Sequence, residues 1–150
     1  MTTQVPVEDG IFTWPLGQDE QPHLLGSRCT DCGAHTFPAQ AGCPRCTGTS
    51  MESVQLDRRG TLWTWTVQAF APKAPPYIGD SDPAAFEPFG VGYVELAGQV
   101  KVEARLTEND PTRLEVGMPM ELALVPLGAD ANGNAVVTFA FQPVTMEDGR

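Results

Sequence analysis

The feature that most constrains this chain is a pair of Cys-x-x-Cys motifs. Cys29-Thr30-Asp31-Cys32 and Cys43-Pro44-Arg45-Cys46 are ten residues apart and contain all four cysteines of the sequence. Two such pairs close together bring four thiolates around one ion, the coordination Zn²⁺ takes in a structural site. Two intervening residues let the backbone turn tightly, so that both sulfurs face the metal and nearby amides point at them. Gly33, directly after the second cysteine, suits the turn because it adopts a positive φ at little steric cost. The second knuckle departs from this, with Thr47 after Cys46 and the glycine one place later at Gly48, while Pro44 pre-sets φ inside it. Four thiolates on one Zn²⁺ leave a charge of about −2, which Arg28 and Arg45 are placed to offset. A closed four-sulfur shell has no open position for a substrate, so the metal is expected to fold the chain and not to catalyse. His23 and His35 lie near but are not needed as ligands. Two disulfides would require an oxidising compartment, and Met1–Gly10 has neither the basic start nor the apolar core of a signal peptide. A redox dithiol would need only one of the pairs, and iron could occupy the same cage.

At 150 residues the chain can bury about 68–70% of its unfolded surface, enough for one real core beside the metal-held module. Nine Lys and Arg face nineteen Asp and Glu, a net charge of −10. Such a surface repels phosphate backbones and anionic lipid. No apolar run approaches the roughly 20 residues of a membrane span, and a soluble cytoplasmic protein is expected. With 15 Gly and 14 Pro, the composition favours turns and strands.

The expected organisation is mainly β: an N-terminal extension over 1–23, partly helical or irregular, a rubredoxin-like zinc ribbon over 24–52, and a five-stranded OB-fold barrel over 53–150. Residues 1–10 read as loose, Ile11-Phe12-Thr13-Trp14-Pro15 as an aromatic cluster that must dock elsewhere, and 16–25 as room for a helical turn broken at Pro22. From Val54 the apolar period becomes two, the strand signal. Residues 61–71 alternate, with Trp63, Trp65, Val67 and Ala69 on one face. Further strands are predicted over 89–96, 99–107, 118–125 and 135–142. Ala97-Gly98 and Asn132-Gly133 mark tight turns. Over 99–107, Val100, Val102, Ala104 and Leu106 face in while Lys101, Glu103 and Arg105 face water. Residues 108–117 leave room for only a very short helix. Five strands with mostly short connections suit a closed barrel, because closure removes exposed edges; a five-stranded sandwich is the alternative.

The connection over 71–88 has eighteen residues and five prolines. Structureless loops of that length are usually functional or disordered, and Tyr77, Ile78, Phe86 and Phe89 would be wasted on plain solvent. These four are the candidate partner or substrate-channel residues.

A cysteine ribbon fused to a five-stranded barrel at this length resembles the zinc-ribbon and OB-fold proteins associated with acyl-CoA and thiolase-fold enzymes, formerly a domain of unknown function. The carriers are Phe12-Thr13-Trp14, the run Gly26-Ser27-Arg28-Cys29 through Gly33, Phe37-Pro38, the second knuckle, Gly60-Thr61-Leu62-Trp63-Thr64-Trp65-Thr66-Val67, Phe89-Gly90-Val91-Gly92-Tyr93-Val94-Glu95-Leu96, and Leu114-Glu115-Val116-Gly117-Met118-Pro119-Met120. An arginine common after the finger proline is missing here, where Pro38 is followed by Ala39-Gln40. The resemblance implies an accessory subunit in a hetero-oligomer with a thiolase-fold protein, either a thiolase or a lipid-transfer-protein-like aldolase of steroid side-chain degradation. The catalytic groups would then lie on the partner, with acyl-CoA met through the complex. Two other classes stay open from the residues themselves. Trp63 and Trp65 could stack bases in a single-stranded nucleic-acid module, against which stand the acidic surface and the core reading of both tryptophans. Lys73, Lys101, Arg105 or Arg113 could meet the phosphates of CoA in a self-sufficient enzyme or acyl-CoA-binding protein.

Overall fold

In the computed structural model, which describes residues 3–69 and 88–144, the alternating runs become strands of two sheets. In chain order they are β1 (Gln4–Pro6), β2 (Leu25–Cys29), β3 (His35–Thr36), β4 (Met51–Gln55), β5 (Arg59–Gln68), β6 (Phe89–Glu95), β7 (Lys101–Leu106), β8 (Pro119–Ala129) and β9 (Ala135–Pro143). β2 pairs antiparallel with both β3 and β4 to form the ribbon sheet. β4 therefore runs through the expected boundary at residue 52, and its ladder partner is the ribbon strand β2.

β5 to β9 close on themselves. β5 pairs with β6, β6 with β7, β7 in parallel with β9, β9 with β8, and β8 back with β5. This is the five-stranded OB-type barrel, and closure leaves its strands no long open edge. The helix often found before the fourth barrel strand is reduced to a 3₁₀ turn, Pro111–Arg113, whose N-terminus is capped by the Asp110 carboxylate accepting from the Thr112 amide. None of the helices among the described residues is long and apolar enough to cross a membrane.

The alternation over 99–107 places Val102, Ala104 and Leu106 in the core, where Leu62, Val94, Leu96, Met120, Leu122 and Phe141 meet them. One expectation on β5 is overturned. Trp63 does not share the inward face with Trp65: it is 51% exposed. The register against β6 slips between Leu62 and Thr64, a β-bulge that puts Leu62 in the core, turns Trp63 out and resumes the inward phase at Trp65. β6 is also unusual, because its inward positions include Gly90 and Gly92 while Val91 and Tyr93 point outward. A Cβ on Gly92 would lie 2.5 Å from the Thr64 carbonyl oxygen, so only glycine lets β5 and β6 approach this closely.

The N-terminal segment is more ordered than its composition suggests. β7 pairs with β9 only at Ala140 and Phe141, leaving the earlier edge of β9 open, and β1 takes that edge in parallel with Ala135–Val137. No helical turn forms over 16–25. The chain instead bends at Gly17–Glu20, where the Glu20 carboxylate accepts from the Gly17 amide at 2.8 Å, and then pairs Phe12 with Leu24 in an isolated bridge. Ile11 and Phe12 are buried, so the aromatic cluster does dock on the core.

Candidate metal centre

Each knuckle is a loop closed by its own backbone. The Gly33 amide donates to the Cys29 carbonyl at 2.8 Å, and the Thr47 amide to the Cys43 carbonyl at 2.9 Å. Gly33 has φ +81° and Thr47 φ +62°, so the residue after the second cysteine is left-handed in both knuckles. The expected departure at Thr47 is one of residue type only. Thr47 takes the conformation that Gly33 takes, which costs a β-branched residue strain.

The loops bring the four Sγ atoms of Cys29, Cys32, Cys43 and Cys46 within 4.8 Å of one another. Cys32 and Cys43 sulfurs are 3.5 Å apart and those of Cys29 and Cys46 3.6 Å. Those separations exclude disulfide bonds of about 2.05 Å. They suit a tetrahedron with Zn–S bonds of about 2.3 Å, whose edges are roughly 3.8 Å. The four sulfurs are thus a closed structural zinc set, with Cys29 and Cys43 buried and Cys46 at the surface.

Electrostatics agree with a cation among them. The Ala34 amide beside Cys32 brings its thiol down to about 6. The Gly48 amide also favours ionisation of Cys46, but the sulfurs of Cys29, Cys32 and Cys43 together push that thiol up to about 12. Four crowded thiols cannot all ionise alone, and a divalent ion removes the obstacle. Backbone amides of Arg45 and Cys46 point at the Cys43 sulfur, each at 3.4 Å. Arg45 answers the charge as expected: its guanidinium donates to the Cys32 carbonyl, and the Cys32 sulfur raises its pKa. Arg28 does not, because Nη1 is 3.1 Å from Glu52 Oε1 across β2 and β4. Neither histidine joins the sulfurs. His23 Nδ1 lies 3.0 Å from the Leu56 carbonyl oxygen at the junction of ribbon and barrel, and His35 is on β3.

Tyr77, Ile78 and Phe86 lie outside the described residues. Phe89 opens β6, with the Arg105 guanidinium 4.1 Å above its ring. It borders a shallow pocket of mixed polarity whose walls include Arg105, Thr107, Asn109, Val125 and Pro126. Trp63, expected to face inward beside Trp65, stands at the surface instead, where its ring meets Tyr93 edge-on at 6.1 Å and lies 4.0 Å below the Lys101 ammonium.

Residues 19–52 match the family profile of the ChsH2 rubredoxin-like zinc ribbon domain, and residues 53–125 that of the ChsH2 C-terminal OB-fold domain. The benzoylsuccinyl-CoA thiolase subunit BbsA of Thauera aromatica is 28% identical over 123 residues, 82% of this chain and 78% of that protein. A DUF35 domain-containing scaffold protein of Methanocaldococcus jannaschii is 27% identical over 126 residues, 83% of each chain. Among solved structures, a chain of the Ltp2-ChsH2(DUF35) aldolase superposes with a TM-score of 0.58 at 26% identity, over 81% of this chain and 84% of that one. With its ribbon and most of its barrel matched in their order along the sequence, the chain belongs to the ChsH2-type family of zinc-ribbon and OB-fold proteins, the DUF35 proteins.

Proposed function

We propose that this chain is a non-catalytic accessory subunit that binds a thiolase-fold partner and helps to form its acyl-CoA channel. The partner is a retro-aldolase cleaving a β-hydroxyacyl-CoA of the steroid side-chain type, or a thiolase. One observation carries the reading: the metal site is closed, its four tetrahedral positions taken by four sulfurs with none left for a substrate. Relatives named as a CoA-thiolase subunit, a scaffold protein and part of an aldolase support it over about four fifths of the chain. In this reading the complex is a cytoplasmic hetero-oligomer, acyl-CoA is met only through it, and Phe89, with Tyr77, Ile78 and Phe86, contributes to the channel wall or to the partner contact. The net charge of −10 argues against a nucleic-acid or membrane ligand.

The test is co-expression of the full chain with thiolase-fold proteins from the same genome, followed by light scattering and assays with β-hydroxyacyl-CoA and 3-ketoacyl-CoA substrates. The expected result is a stable complex of two kinds of chain, active only when both are present. Recovery of this chain as a lone monomer in every pairing, or turnover of an acyl-CoA by the isolated chain, overturns the proposal.

A further inference from the structure

The outer face of the barrel across β5, β6 and β7 is built unlike a solvated sheet face. A half-wet antiparallel sheet normally turns its large apolar residues inward. Here glycines occupy inward positions on β6, while Val91 and Tyr93 point outward. The bulge adds Trp63 to the same side, 51% exposed beside Tyr93 at 38%. Aromatic residues at this level of exposure are the composition of interface centres, where Trp and Tyr are enriched.

The charges on this face are equally selective. Arg28, Arg58, Arg59 and Arg113 each lie within 4.0 Å of a carboxylate. Lys101 and Arg105 do not: among the described residues their near contacts are rings, Lys101 at 4.0 Å from the Trp63 centroid and Arg105 at 4.1 Å from that of Phe89. In a chain with nineteen acidic against nine basic residues, two cations are thus held on aromatic surface with no carboxylate of the described residues within 4.0 Å. They are four residues apart on β7, about 13 Å along the strand. Glu103 stands between them, and Glu95 is the register partner of Lys101. A continuous polyanion laid along the strand would cross both carboxylates, whereas a protein surface can supply two separate acids around an apolar centre.

We propose, resting on the accessory-subunit reading above, that this face is the docking surface for the thiolase-fold partner. The partner meets Trp63, Tyr93 and Val91 with an apolar patch and offers one carboxylate to Lys101 and another to Arg105. Aromatic side chains bury about 150–250 Å² each, so the patch forms the centre of a standard interface of about 800 Å² per partner.

The test uses the co-expressed complex, with Kd measured by interferometry on the tagged full chain. Trp63→Ser is expected to raise Kd at least tenfold, and Lys101→Glu or Arg105→Glu to raise it with an effect that shrinks in high salt. Val116→Ser, at an apolar position more exposed than Trp63, should leave Kd within twofold. Unchanged zinc content and circular dichroism keep misfolding separate. If the wild-type complex forms and the Trp63 and Lys101 variants bind with the same Kd, this face is not the docking surface, while the accessory reading stands. If the wild type binds no thiolase-fold protein, the accessory reading falls and this proposal with it. Two other results also overturn it: saturable quenching of tryptophan emission by a single-stranded oligonucleotide at low salt that Trp63→Ser removes, or a self-dimer that Trp63→Ser dissolves in sedimentation.

Discussion

Replacing Gly92 with alanine tests the reversed packing of β6. A glycine inside a strand ordinarily costs roughly 0.5–1 kcal/mol relative to alanine, so the generic expectation is that Gly92→Ala stabilises. The structure reverses the sign. The added Cβ would stand 2.5 Å from the Thr64 carbonyl oxygen, with Leu62 Cδ1 at 3.1 Å and Leu106 Cδ1 at 3.2 Å behind it. A carbon meets a carbonyl oxygen comfortably at about 3.3 Å, so β5 and β6 must part by about 0.8 Å. The obstacle is backbone and the barrel is closed on both sides, so the shift spreads into the β5–β8 and β6–β7 ladders. Overpacking costs about 1–3 kcal/mol, and a rigid carbonyl puts Gly92→Ala near 2–3. At roughly 2–4 °C per kcal/mol for a chain of this size, Tm falls by about 5–10 °C. Urea unfolding with an unchanged m-value would confirm that stability, not the denatured state, has moved. Gly98→Ala is the control: nothing lies within 4 Å of its Cβ, and its φ of +76° isolates the left-handed backbone cost of roughly 1–2 kcal/mol. A Gly92→Ala protein as stable as the parent would refute the packing argument.

Three other outcomes follow from particular residues. Cys29→Ser or Cys43→Ser should lose the bound zinc, read by elemental analysis, and give aggregation or poor assembly; a variant that keeps one zinc per chain and assembles normally contradicts the closed four-sulfur site. Arg58→Met removes donors to the Pro22 carbonyl at 2.6 Å and the Leu122 carbonyl at 3.2 Å, and should cost at least about 3 kcal/mol in urea unfolding, since bonds to a charged donor are each worth roughly 1.5–3. The Asp130 carboxylate is held below its usual range, first by the Asn134 amide and then by the Asn134 side chain and the Asn132 amide. A depressed carboxylate stabilises above its unfolded pKa of about 3.9 and loses that contribution as pH falls through the lower folded value. Protection factors at the Asn132 and Asn134 amides, exchange rates taken relative to the unprotected rate at each pH, should therefore fall below about pH 4, and Asp130→Ala should remove that fall.

The legible parts of the fold were those whose signal is local. Cysteine spacing alone identified the metal set, because each knuckle closes through a hydrogen bond within its own five residues, Cys29 to Gly33 and Cys43 to Thr47. The alternation at Val102, Ala104 and Leu106 survived for a similar reason: β7 runs without a slip beside β6. Trp63 was misread because its orientation is decided elsewhere. β5 must pair with β8 over Arg59–Thr61 and with β6 beyond, and the bulge that reconciles the two leaves no mark in the unbroken alternation Trp63-Thr64-Trp65-Thr66. β1 escaped notice because its partner, Ala135–Val137, lies at the other end of the chain. Thr47 hid a left-handed position behind a residue type that seldom takes one.

The metal's effect need not stop at the ribbon, because ribbon and barrel share one core. Leu24 enters the ribbon and Leu56 leaves it; both are fully buried, in the same cluster as Leu62 and Leu96 of the barrel. The Leu56 amide donates to the Leu24 carbonyl at 2.9 Å, the Asp57 amide to Gln99 Oε1 at 2.9 Å, and Arg58 ties Pro22 to Leu122. The β2–β4 ladder ends at Leu25 and Gln55, one residue before these contacts begin. Metal that fixes Cys29 at the far end of β2 therefore also fixes the register that delivers Leu24 and Leu56 to the barrel. Roughly 10–16 kcal/mol of apparent zinc binding, against a typical 5–15 kcal/mol for a whole domain, makes the ion a principal support of the barrel's ribbon-facing end. A face required to dock as a rigid body would gain from that support without the metal ever touching the partner.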